Sequence, residues 1–138
     1  MRKPKVNIVT LGCSKNKVDS ERLAAILNEK YDIVHDSDKK SDIVIINTCG
    51  FIGDAKEESI DTILEYAELR KNNKIKKLYV MGCLSQRYRK DLQEEIHEVD
   101  GFFGVESVQL IASQILKFSD SQILRFSDSY NHERLLST

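Results

Sequence analysis

Cysteine occurs only three times in this sequence, and all three copies occupy one kind of place. Cys13 lies in TLGCSKNKVDSE (Thr10 to Glu21), Cys49 in IINTCGF and Cys83 in YVMGCLSQ. Each follows an apolar run, precedes a helical pattern and has a glycine beside it: Gly12, Gly50 and Gly82. Glycine admits backbone angles closed to other residues and lets a bulky ligand approach the main chain. Soft thiolate ligands select zinc, copper(I) or iron–sulfur clusters. A zinc site would need a fourth ligand, for which His35 is the candidate. An iron–sulfur cubane held by three cysteines would instead leave one iron open to a small ligand. The third reading is three inert thiols packed beside strand ends, since cysteine is often buried.

These residues can meet only if the fold gathers them. Val6–Leu11, Tyr31–His35, Ile43–Asn47, Leu78–Met81 and a weaker Gly101–Val105 read as strands, being short, apolar and rich in β-branched residues. Helical periodicity fills the gaps at about 17–29, from about 54 through at least Ala67, at about 86–98 and from about 106 onward. In the second helix Ile60, Ile63, Leu64 and Ala67 form the expected apolar face, and Asp54 with Glu57 has the form of a capping box. Nearly continuous apolar strands separated by helices imply parallel crossovers and a sheet covered on both faces. The fold expected is therefore α/β: a doubly wound, mostly parallel sheet of about five strands, Rossmann or flavodoxin-like. In such a sheet the C-terminal strand ends share one edge. Cys13, Cys49 and Cys83 would follow strands one, three and four there, with helix N-termini favouring their thiolate forms.

Length and charge narrow the function class. The 138 residues, 41% of them hydrophobic, suffice for one core, and 21 basic against 22 acidic side chains argue against a nucleic-acid clamp or a polybasic membrane surface. No apolar stretch is long enough to span a bilayer and no secretory signal is visible, so a soluble cytoplasmic protein is expected. An odd number of cysteines there points to reduced thiols or metal ligands rather than a disulfide framework. Near the end, QILKFSDS (Gln114 to Ser121) is repeated as QILRFSDS (Gln122 to Ser129), read as a local duplication in a tolerant terminus.

Two other motifs compete. Cys83 to Arg89 has the C-x5-R spacing of a thiol phosphatase, whose loop wraps a phosphate while arginine clamps its oxygens. No glycine lies inside it, and Cys13 and Cys49 are left without a role. Gly12 to Lys17 lacks the second glycine and the Gly-Lys-Ser/Thr ending of a phosphate loop.

Taken together, LGCSKNKVDSE, INTCGFI and VMGCLSQRY resemble the N-terminal domain of the methylthiotransferases, a branch of the radical S-adenosylmethionine enzymes. The first motif is similar to the RimO type, which modifies an aspartate of a small-subunit ribosomal protein. Relatives that modify transfer RNA typically carry Gly-Cys-Gln-Met-Asn where this sequence has Gly12 to Asn16. The resemblance implies that Cys13, Cys49 and Cys83 hold an auxiliary 4Fe–4S cluster whose open iron carries the sulfur to be inserted. Gly12, Gly50 and Gly82 would give it backbone access, and Asn47 and Thr48 would hydrogen-bond its sulfur unless they merely cap the next turn. Complete members continue into a barrel whose C-x-x-x-C-x-x-C triplet holds a second 4Fe–4S cluster and S-adenosylmethionine; no such triplet occurs up to Thr138. Residues 1–118 are accordingly expected to be the N-terminal domain and 119–138 a duplicated segment and linker toward that absent barrel, its partner in cis. Such a fragment would be inactive alone. A transfer-RNA methylthiotransferase, a zinc-stabilised interaction module and a plain α/β binding domain are the alternatives.

Overall fold

Alternation along each strand decides the layering. Val6 and Ile8, Ile43 and Ile45, Tyr79 and Met81 point to one face of the sheet; Val9, Val44 and Ile46, Leu78 and Val80 point to the other. Both sets are buried, so both faces need cover. A computed structural model describes residues 3–12, 14–37, 40–49, 53–104 and 108–121, with backbone alone at 53–55, 83, 86 and 118–121. Its elements, in order, are β1 (Lys5–Thr10), α1 (Ser14–Leu27), β2 (Asp32–His35), β3 (Ile43–Thr48), α2 (Gly53–Lys71), β4 (Lys77–Gly82), α3 (Cys83–Glu95), β5 (Gly101–Phe102) and α4 (Val108–Ser121). The five strands run in the order β2-β1-β3-β4-β5, every neighbouring pair parallel. The doubly wound α/β expectation is borne out.

Leu23 and Leu27 of α1 join Val108, Ile111, Ala112 and Ile115 of α4 over the first face. Ile63 and Ala67 of α2, Leu84 and Leu92 of α3, and Ile96 cover the second. Because β1 pairs with β2 on one side and β3 on the other, the chain reverses its direction of winding between β1 and β3. A crevice outside the carboxyl ends of those strands is where such sheets take ligands.

Several expected boundaries shift. The first helix starts at Ser14 rather than about Lys17, and the third at Cys83 rather than Gln86, so helix follows strand with almost no intervening loop. Gly53 is already helical, which puts Asp54 inside α2 instead of at its N-cap. Acidic residues favour the whole first turn through the helix dipole, so the pattern located that turn but not the cap residue. Leu64 is 49% exposed, because the buried stripe of α2 runs through Ser59, Ile63 and Ala67 and leaves it rotated outward. The fifth strand is only Gly101–Phe102. The first copy of the duplication lies within α4, which continues unbroken across position 119 to Ser121; the second copy and the tail lie outside the described residues.

Candidate metal centre at the strand ends

The ends of β1, β3 and β4 are laterally adjacent. Thr10 pairs with Asn47, and Thr48 with Gly82. Cys49 therefore directly follows the central strand of the three, and Cys83, directly after Gly82, opens α3. Cys13 and Gly50 lie outside the described residues, but the residue before Cys13 is placed: a β-carbon built on Gly12 would stand 2.5 Å from the Cβ of Cys49 and 3.0 Å from its Sγ. On Gly82 it would meet the Thr48 carbonyl oxygen at 2.4 Å. Both glycines have positive φ, +95° and +101°, so these turns need glycine for conformation and for space. Gly82 is the N-cap of α3 and supplies no side-chain cap, so the first-turn N–H groups of that helix face the edge where Cys83 sits.

Beneath the edge lies a buried polar network. Asn16, 6% exposed, donates through Nδ2 to the Leu11 carbonyl (2.7 Å) and the Thr48 carbonyl (2.9 Å). Asn47 returns the contact, donating through Nδ2 to the Asn16 carbonyl (2.9 Å) and to Ser20 Oγ (3.1 Å). Thr10 donates to Ser20 Oγ at 2.7 Å, and Thr48 donates through its hydroxyl to the Met81 carbonyl at 2.7 Å. On the far side Ser59, fully buried in α2, accepts from the Cys49 N–H (3.2 Å) and donates to the Cys49 carbonyl (2.8 Å). Buried polar groups are tolerated when paired in this way, and losing one partner costs the desolvation of the other.

Cys49 is a half-buried free thiol. Among the described residues no three His, Cys, Asp or Glu side chains are grouped to hold a metal, a set that includes only Cys49 of the three cysteines. His35 is exposed at the end of β2 and lines a cavity of about 610 Å³ with Gly12, Lys17, Ser20 and Asp36. The phosphatase spacing does not form its loop, since Cys83 to Arg89 runs as the first turns of α3, bent once at Tyr88 (φ −117°), rather than as a loop wrapped around a phosphate.

Residues 5–104 match the model of the family described as Uncharacterized protein family UPF0004. The chain belongs to that family. Among curated relatives, a protein of Phocaeicola vulgatus is 58% identical over 106 residues, covering 75% of this chain and 24% of the relative. One from Porphyromonas gingivalis is 55% identical over 106 residues, with the same coverages. One from Cytophaga hutchinsonii is 54% identical over 112 residues, covering 80% of this chain and 26% of the relative. All three are named ribosomal protein uS12 methylthiotransferase RimO. The chain thus spans about a quarter of their length, and the RimO-type resemblance of its three motifs is borne out over that span. Among the described residues no helix is long and apolar enough to cross a membrane.

Asn16, Ser20 and Ser59 also belong to this strand-end edge and are not among the site residues expected from the sequence. A signal for each was present. Asn16 and Ser20 extend the Leu23 and Leu27 stripe of α1 back toward its N-terminus at helical spacing, and Ser59 does the same for Ile63 and Ala67 in α2. Polar residues on an otherwise buried stripe mark the place where a helix meets a polar strand end.

Proposed function

We propose that this domain holds a 4Fe–4S cluster through Cys13, Cys49 and Cys83, and serves a methylthiotransferase that modifies an aspartate of the small-subunit ribosomal protein uS12. The observation that carries the reading is the adjacency of the β1, β3 and β4 ends, with Gly12 against Cys49 and Gly82 against Thr48. A soft donor set on strand ends drawn together at two obligatory glycines is what a sulfur-rich group bridging those ends requires. When bound, the cluster supplies an iron with a free coordination position at which sulfur for the substrate is held.

The chain's own residues prepare that position. Gly12 and Gly82 permit the close turns that bring the strand ends together, and Gly50 would give the cluster backbone access. Asn47 and Thr48 serve the cofactor through the backbone, since their side-chain donors engage Asn16, Ser20 and Met81 and hold the strand ends in place. The amide donors at the start of α3 favour the anionic state of the group bound at Cys83. On this reading a second 4Fe–4S cluster and S-adenosylmethionine are held elsewhere in the enzyme, because these 138 residues contain no C-x-x-x-C-x-x-C triplet. The uS12 substrate is taken from the names of the relatives, which also favour a ribosomal protein over transfer RNA.

Anaerobic reconstitution with iron and sulfide tests the assignment. About four irons per chain and a broad visible absorption are expected, with loss of both in Cys13→Ala, Cys49→Ala and Cys83→Ala. A colourless product with three titratable thiols would refute it, and one bound zinc lost on His35→Ala would favour the zinc-stabilised module.

A further inference from the structure

The Thr48–Cys49 peptide unit is gripped at both ends by side chains from different helices. Its carbonyl oxygen accepts from Asn16 Nδ2 at 2.9 Å, and its N–H donates to Ser59 Oγ at 3.2 Å. Asn16 spends its other amide hydrogen on the Leu11 carbonyl at 2.7 Å. Leu11 itself prolongs the β1–β3 pairing by donating its N–H to the Asn47 carbonyl at 2.9 Å. One uncharged nitrogen with two diverging hydrogens therefore spans the ends of β1 and β3 just before the turns that carry Cys13 and Cys49.

Few side chains could replace it. Ionised aspartate has the same shape and no donor, and would set a carboxylate against two carbonyl oxygens. Leucine would leave both carbonyls without that partner, and glutamine would push the amide one methylene too far. The orientation of the Thr48–Cys49 plane determines where the Cys49 Cα–Cβ bond points. With Gly12 on one side and Gly82 on the other, neither flanking turn offers a side chain to hold it.

We infer that Asn16 is a positioning residue: it fixes the Thr48–Cys49 peptide and the spacing of the β1 and β3 ends, and thereby sets how firmly the cluster is retained. The inference rests on the cluster reading above. Groups that orient metal ligands typically change metal affinity about 10- to 100-fold when removed.

The test uses the reconstituted 138-residue chain, with Asn16→Asp as the variant and Asn7→Asp as the comparison. Asn7 is another buried asparagine, bonded through its side chain to Ser37 and remote from the cysteines, so it reports the general cost of burying a carboxylate. Asn16→Asp is expected to load iron yet release it to a chelator about tenfold faster than the parent, with a changed EPR line shape of the reduced cluster. Asn7→Asp is expected to lower the melting temperature while leaving release rate and line shape at parental values. If Asn16→Asp does not fold, Asn16→Gln is read in its place and must show the same difference from Asn7→Asp. Parental release and line shape in the Asn16 variant would overturn the positioning role alone. A parent chain that takes up no iron would overturn the cluster reading and this inference with it.

Discussion

Gly82 lies so close to Thr48 that a single added carbon would stand 2.4 Å from the Thr48 carbonyl oxygen, a backbone atom that is also the partner of Asn16. With φ at +101°, Gly82→Ala meets both a conformational penalty and a collision. Strained backbone of this kind costs about 1–3 kcal/mol, so a fall of several degrees in melting temperature is expected. Gly12→Ala, with φ at +95° and the Cys49 Cβ at 2.5 Å, should cost a comparable amount and in addition slow alkylation of Cys49 by a bulky maleimide. Equal effects of the two substitutions on alkylation would contradict this division.

Ser59 tests the other grip on Cys49. It is fully buried and spends its hydroxyl on the Cys49 backbone. Ser59→Ala should lower stability by about 1–3 kcal/mol, seen in urea as a lower midpoint at unchanged slope. A midpoint equal to the parent's would mean that solvent satisfies the Cys49 N–H and carbonyl.

Stability and site can be separated at the opposite end of the sheet. Asp100 receives Arg70 Nε at 3.1 Å and Nη2 at 3.3 Å, and also accepts from the Leu78 N–H at 2.8 Å. The pair is partly shielded, with side-chain exposures of 28% and 15%. Asp100→Ala should cost about 1–3 kcal/mol, chiefly by stripping the Leu78 N–H of its partner, and Arg70→Lys should not be neutral because the two-pronged geometry is lost. Iron release per folded molecule should stay at the parental rate in both; faster release would tie the site to this distant corner.

Ile63 and Leu64 are neighbours in α2 with opposite environments, fully buried against 49% exposed. Ile63→Ala should cost about 2–5 kcal/mol by leaving a cavity in the second face. Leu64→Glu should change stability by no more than about 0.5 kcal/mol. Thermal melts decide it, and a large loss at Leu64 would show that α2 turns a different face to the sheet.

Much of this was readable in the sequence, for a definite reason. Strands buried on both faces must be apolar throughout, so VNIVTL, IVIIN and LYVM announced a parallel sheet, and glycine beside each cysteine marked the strand ends. Leu64 misled because apolar spacing specifies a stripe without fixing its centre. Asn16 was harder to read, since a polar residue early in a helix looks like surface until the sheet edge it meets is known.

The strand order carries a consequence in time. β3 lies between β1 and β4, so a chain emerging from the ribosome can pair β1 with β3 as soon as residue 48 is free, yet the third side of the edge is missing until β4 has been made and docked. A nascent chain that has not reached α3 offers an edge one strand short. If the proposed cluster is held there, its delivery has to wait for more than half of these residues to be synthesised, whatever machinery performs it.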